Sequence, residues 1–385
     1  MERRGTLTGE VAAQSLGDRL GAAPRPVERG IGWTHARLDV ADGGVPYAVD
    51  VVADTASAPR SVAYLLPGGG LNFTADFFTP RSRNLVHHLR RAGHLVVGIT
   101  PREDAADAAR VGPDWGLAAH RADARRVIAA TDTALRLPYQ LVGHSAGAAL
   151  ALDLAGAHPS ERLRRVVAID TTGPYAGDLA ERAARTRDAF QELIDQGRYA
   201  NDPGLKGLLA RALADPDGAS AVPRPVDPST RFTHAGLAHF ALIRTGALPG
   251  PANWIYHQGH AAGSYAFGAT PAEDRFALTH SPLEVWGEAT AALGSGLVPH
   301  ALLRDLAAVW AGDDATYRIA WERIGAEVVW VNTELGRGDH PRGAELVREG
   351  GNRRVGFTVV PGYGHGDPLW STTADTDAWP LLTPR

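Results

Sequence analysis

A serine, a histidine and a run of glycines in this 385-residue chain have the types and spacing needed to break an acyl bond. The serine is Ser145, in Leu141-Val142-Gly143-His144-Ser145-Ala146-Gly147. A serine hydroxyl is a weak nucleophile, so it must be presented on a sharp turn with a base beside it. Gly143 and Gly147 remove the side chains that would collide at such a turn, and Ala146 keeps the space beside the serine open. The base is expected on a late loop, and His365 meets that demand in Pro361-Gly362-Tyr363-Gly364-His365-Gly366-Asp367. An oxyanion needs main-chain donors, and Pro67-Gly68-Gly69-Gly70 supplies them. Gly69 and Gly70 are the best placed, and the amide of Ala146 is the third donor.

The elements around these residues must hold them. Ser61 to Leu66 is a short, continuously apolar run, which suits a strand buried on both faces, and it ends at the glycines. His94 to Ile99 is another, and Leu141-Val142 leads into the serine turn. The stretch from Arg165 to Ile169 is a further buried strand, stopping at Asp170. Helix-period stretches separate them, at about 83–92, at 117–135 and from Ala148 onward. Strand and helix in alternation predict a mostly parallel sheet with helices on both faces. Ahead of this, Leu38 and Val40, a turn at Asp42-Gly43-Gly44, and Val45, Tyr47, Val49 and Val51 read as an antiparallel hairpin. The alternation stops at about residue 176 and resumes with Val328 to Val331 and Val355 to Val360. Between lie predicted helices broken by Asp202-Pro203-Gly204 and Pro249-Gly250-Pro251, with many aromatics.

With these pieces in order, the chain resembles the α/β-hydrolase family. The serine elbow, the glycine loop and the late histidine follow the family's sequence of motifs, over roughly residues 35–175 and 320–370. The resemblance implies an α/β fold, a mostly parallel central sheet with helices on both faces and a helical lid insertion. Residues 1–30, polar, punctuated by Gly and Pro and weakly patterned, read as a loosely attached N-terminal arm; the rest divides into a hydrolase core at 31–175 and 320–385 and a lid at 176–319. The resemblance also implies a catalytic triad whose acid follows the strand at Val328 to Asn332. Asp339, in Gly336-Arg337-Gly338-Asp339, is favoured; Glu334 and then Asp170 are the alternatives. Asp367 is too close to His365 in sequence to orient it and reads as a local hydrogen-bonding residue. One departure is Pro67, where many members have a histidine, which removes a usual strut of the oxyanion loop. Leu71, His144, Trp254, Tyr256 and Tyr363 are the candidate substrate contacts.

Composition narrows the remaining possibilities. A net charge of −4 and a pI near 6.4 give no electrostatic reason to expect nucleic acid or an anionic membrane as partner. Lys206 is the only lysine, and the abundant arginine with Ala and Gly fits a GC-rich genome. The absence of cysteine excludes disulfides, thiolate metal sites and a cysteine nucleophile. The pairs His87-His88 and His257 with His260 lack the acidic neighbours of a metal site, and no cofactor is indicated. No apolar run is long enough for a signal-peptide core or a membrane span, so a soluble, cytoplasmic protein is expected.

These observations predict a serine hydrolase acting on a carboxylic ester, lactone or thioester of a medium-sized, largely apolar small molecule. An acyltransferase or cyclase using the same serine is one rival. A non-catalytic ligand-binding protein on the same fold is another, and the presence of both Ser145 and His365 argues against it.

Overall fold

The computed structural model describes residues 9–42, 45–248 and 254–383. The centre of the predicted turn at Gly43-Gly44 and the break at Pro249-Gly250-Pro251 lie outside the described residues. A nine-stranded sheet forms the frame, and its strands are named here in chain order: β1 (Arg25–Gly30), β2 (Trp33–Asp42), β3 (Val45–Asp54), β4 (Ser61–Leu66), β5 (His94–Ile99), β6 (Tyr139–His144), β7 (Leu163–Ile169), β8 (Glu327–Thr333) and β9 (Val355–Val360). Across the sheet the order is β1-β2-β3-β5-β4-β6-β7-β8-β9. The strands from β5 to β9 run parallel, whereas β1, β2, β3 and β5 pair antiparallel.

The apolar runs explain which strands lie in the middle. Val62 to Leu66, Leu95 to Ile99 and Leu141-Val142 are almost wholly buried, as strands covered by helices on both faces must be. Helices α2 (Phe73–Phe77), α3 (Leu85–Arg91), α4 (Leu117–Leu135) and α5 (Ala146–Ala157) follow or separate these strands. Helix α5 is apolar all round and buried from Ala146 to Gly156, because it sits directly under the sheet. Each buried Val, Leu or Ile in these layers contributes about 1.5–3 kcal/mol before entropy is counted.

The structure corrects two sequence expectations. Residues 9–30 are not a loosely attached arm. Helix α1 (Gly9–Leu20) buries Ala12, Ala13, Leu16 and Leu20 against the core, and β1 pairs with β2 at the sheet edge. The spacing of those four apolar residues is helical, but short side chains between polar ones made the stripe hard to see. The insertion at 176–319 is also not helices alone. It contains α6 (Asp178–Asp195), α7 (Leu205–Ala214), α8 (His234–Ile243), α9 (Leu283–Ala291) and α10 (His300–Ala311). Among them are two short hairpins, Ala219–Arg224 with Asp227–Thr233 and Gly263–Ala266 with Arg275–Leu278. Their strands carry no apolar run because they are only partly covered. Phe232, Phe240, Tyr265 and Phe267 cluster between them.

The insertion at 176–319, called the cap below, is stitched to the core beside the motifs. The amides of His257 and Gln258 donate to the carbonyls of Gly336 and Leu335, and those of His365 and Gly366 to the carbonyls of Gly259 and His260. Among the described residues no helix is long and apolar enough to cross a membrane.

Candidate active site

Ser145 sits where β6 turns into α5, with φ 56° and ψ −118°. A non-glycine residue is held in such a conformation only when its surroundings over-determine it, at a cost of about 1–3 kcal/mol. The surroundings do so here. The Ser145 amide donates to the carbonyl of Ile169 at 2.9 Å. A Cβ on Gly143 would run into the backbone of Gly147, and one on Gly147 into the carbonyl of Leu66. Both glycines are therefore required by close backbone approach.

The glycine loop lies against this elbow. A Cβ on Gly68 would fall 3.3 Å from Cβ of Ser145, and one on Gly69 3.8 Å from Cβ of Ala146. Gly69 and Ala146 thus stand side by side. Gly70, at φ 75°, turns toward Gly296 and Val298 of the cap. The strut that Pro67 cannot provide comes from α2. Asp76 accepts a hydrogen bond from the Gly68 amide at 2.8 Å with one oxygen, and its other oxygen meets Nδ1 of His144 at 2.9 Å.

His365 is buried, with its Nδ1 2.5 Å from Oδ2 of Asp170. The other oxygen of Asp170 accepts from the Thr333 amide at 2.7 Å and the Thr333 hydroxyl at 3.0 Å, and the Arg337 amide reaches both oxygens at 3.2 Å. Burial alone would raise the Asp170 carboxyl. The bond to His365, the Thr333 amide and the Arg337 charge outweigh that, so it lies below the usual carboxylate range. For His365 burial dominates, and with His144 and Arg337 also opposing a second positive charge, its imidazole is pushed down to about 3 despite Asp170. It is held neutral, as a base must be.

The favoured carboxylate is elsewhere. Asp339 is exposed. Glu334 is exposed too and accepts from the Gly362 amide at 2.7 Å, which anchors the start of the histidine loop. Only Asp170 reaches the imidazole, because β7 ends beside β8 and the loop after β8 folds back over that end. Gly336 is needed for this fold-back: a Cβ there would strike the Asp170 carboxylate. Asp367 does more than bond locally. Fully buried, it accepts from the amides of Gly364 and Ala262, both at 2.8 Å, and from the hydroxyl of Ser281 at 2.6 Å, tying the histidine loop to the cap.

Of the candidate substrate contacts, Tyr256 lies at the centre. Its ring is 4.3 Å from that of His365, and its hydroxyl lies near Ser145. Burial pushes that hydroxyl up to about 12, with the Arg337 charge working against it, so it is a neutral donor at physiological pH. Trp254 is half-buried next to Tyr175 and Trp310, and its ring nitrogen donates to the Thr186 hydroxyl at 3.1 Å. Leu71 is half-buried beside Gly68 and packs on the core.

Two candidates face away from any substrate. His144 is 1% exposed, with Nε2 donating to the carbonyl of His365 at 3.1 Å, so both of its nitrogens are occupied within the protein. Tyr363 is buried against His280, and its hydroxyl joins Ser371, Thr373 and Asp377. Among the described residues no cluster of three or more His, Asp or Glu side chains could hold a metal ion. His87 packs against Trp33 and Phe78, and His257 bonds to the Glu334 carbonyl.

Sequence reasoning missed two residues at this site. Asp76 carries no sequence signal, since it is one acidic residue in a short helix. Arg337 had one: a lone arginine between the two glycines of the loop after β8.

No family model matches the sequence, and no curated protein does either. Solved structures do match the fold. The chain is similar to a lipase candidate from Sulfolobus solfataricus with a TM-score of 0.63 at 15% identity, covering 92% of this chain and 96% of that one. It also aligns with epoxide hydrolase A of Mycobacterium thermoresistibile, with a TM-score of 0.47, 16% identity and 94% and 97% coverage. A third match is the 2-hydroxy-6-oxo-6-phenylhexa-2,4-dienoate hydrolase of Rhodococcus sp. strain RHA1, with a TM-score of 0.45, 13% identity and 94% and 99% coverage. Taken with the nine-stranded, mostly parallel sheet and its flanking helices, the first of these likenesses establishes that the chain has the α/β-hydrolase fold.

Proposed function

We propose that this protein is a serine hydrolase that cleaves a carboxylic ester, lactone or thioester through an acyl-enzyme. The observation that carries the reading is the His365–Asp170 pair beside the strained Ser145 elbow. Asp170 occupies Nδ1 and so fixes the tautomer, leaving Nε2 as the nitrogen that can take the serine proton. Ser145 attacks the carbonyl carbon and its proton passes to His365. The imidazolium formed is stabilised by Asp170, and the amides of Gly69 and Ala146 receive the oxyanion. His365 then protonates the leaving alcohol or thiol. Water, deprotonated by the same imidazole, releases the acid and restores the serine.

The half-buried aromatic side chains next to the site, Tyr175, Trp254 and Tyr256, suit an apolar substrate body. Labelling with a neutral fluorophosphonate, read by intact mass, tests the nucleophile. One adduct on the wild type and none on Ser145→Ala is expected. No adduct on the wild type, or equal labelling of the variant, would end the proposal. Product analysis with and without an added alcohol separates hydrolysis from acyl transfer.

A further inference from the structure

Arg337 is 4% exposed, yet its Nε and Nη1 have no hydrogen-bond partner. An arginine side chain carries its charge at any accessible pH, and a buried charge is ordinarily paired or hydrogen-bonded. Three N–H groups of this one have no acceptor. No carboxylate lies within ion-pairing distance of it among the described residues. Asp170 feels the Arg337 charge but takes a hydrogen bond only from that residue's backbone amide, and its oxygens are already filled by Thr333 and His365.

The guanidinium lies over two aromatic rings instead of beside a carboxylate. Its carbon lies 4.3 Å from the centroid of Trp310 and 5.5 Å from that of Tyr256. Tyr256 in turn touches His365 and Ser145. A guanidinium donates only in its own plane, where its N–H groups point, so the rings leave those donors to another partner. The geometry of the loop reinforces this placement. Gly336 wraps Asp170 and Gly338 has φ 72°, so the residue between them is turned into the layer between core and cap.

We infer that Arg337 is the anchor for a carboxylate on the substrate, so that the ester cleaved at Ser145 has an apolar body and one anionic group. This rests on the proposed hydrolase reading and narrows it. A carboxylate is favoured over a phosphate because it is planar, matches a guanidinium edge, and carries the single charge that one arginine balances.

The test compares 4-nitrophenyl half-esters of succinic, glutaric and adipic acids with 4-nitrophenyl butyrate, pentanoate and hexanoate. The wild type should favour at least one half-ester over its neutral counterpart by about 30-fold in kcat/KM, the worth of a charge-assisted hydrogen bond. In Arg337→Met that ratio should collapse to near one, while Arg337→Lys should keep part of it. Absence of any half-ester preference in a wild type that labels normally with the fluorophosphonate overturns this inference and leaves the hydrolase reading standing. A binding measurement needs no turnover: Ser145→Ala should bind monomethyl adipate at least about tenfold more tightly than dimethyl adipate. Equal binding of the two esters also overturns the inference.

Discussion

Asp76 and His144 form a buried pair in which one carboxylate holds both the glycine loop and the residue before Ser145. One oxygen takes the Gly68 amide, and the other the imidazole. Because Nε2 of His144 meets the carbonyl of His365, both ring nitrogens face acceptors, which requires the imidazolium. Burial opposes that charge, but Asp76 outweighs it and raises the imidazole's proton affinity. Three loops are thereby tied to one ion pair: the glycine loop, the serine elbow and the histidine loop.

Removing Asp76 should therefore damage more than one loop. Asp76→Ala leaves a buried imidazolium uncompensated, and a loss of about 3–5 kcal/mol in denaturant unfolding is expected. An unfolding free energy within about 0.5 kcal/mol of wild type would show that the pair is not structural in this way.

The orienting acid is tested by substitution. Asp170→Asn preserves shape but favours the wrong imidazole tautomer, and kcat should fall about 10³- to 10⁴-fold. Asp339→Asn and Glu334→Gln, both exposed in the structure, should stay within a few-fold of wild type. Comparable losses in Asp339→Asn and Asp170→Asn would contradict the geometry.

The rate should hold up in acid. In the proposed mechanism His365 works as a neutral base, and burial foremost pushes its pKa down to about 3. Protonation, and with it loss of kcat/KM, should begin well below the ordinary histidine value near 6.5. An acid limb centred at 6.5 in the pH–rate profile would show that the imidazole is not shielded in solution.

Stability should peak near neutral pH. His260, lowered to about 4 by burial, and His365 stay uncharged in the fold while their unfolded counterparts take up protons below about 6.5. The unfolded chain then binds more protons, so stability falls as pH drops from 6.5 toward 4. His120 has the opposite sign. Burial disfavours its charge, but Glu103, 2.9 Å away, prevails and raises it to about 9. Its contribution is complete below 6.5 and is lost as pH rises through 9. Melting temperatures measured from pH 4 to 10 should show both flanks, and His120→Gln should flatten the alkaline one.

The elbow glycines should tolerate nothing larger. Gly147→Ala places a methyl group against the Leu66 carbonyl, backbone that cannot swing aside. A loss of about 3 kcal/mol is expected. A variant as stable as wild type would mean that strand and helix meet less tightly than described.

The chain's own sequence determined what depends on neighbours along it. Continuous apolar runs mark the buried strands, because a strand covered on both faces has no polar side to show. Gly143 and Gly147 mark close backbone approach, because nothing else fits. A mostly parallel sheet with helices on both faces follows from that alternation, and the resemblance to α/β-hydrolases from the order of the motifs. Tertiary structure decided what depends on residues distant in sequence. Asp170 meets His365 across 195 positions, and only the parallel pairing of β7 with β8 brings that strand end under the histidine loop. Asp339 looked better placed because the loop it belongs to is the right one. That loop, however, presents its backbone to Asp170 and its arginine to the rings, and turns its aspartate to solvent. The cap hairpins and the packed helix α1 escaped for a related reason: their partners, and not their own periodicity, make them stable.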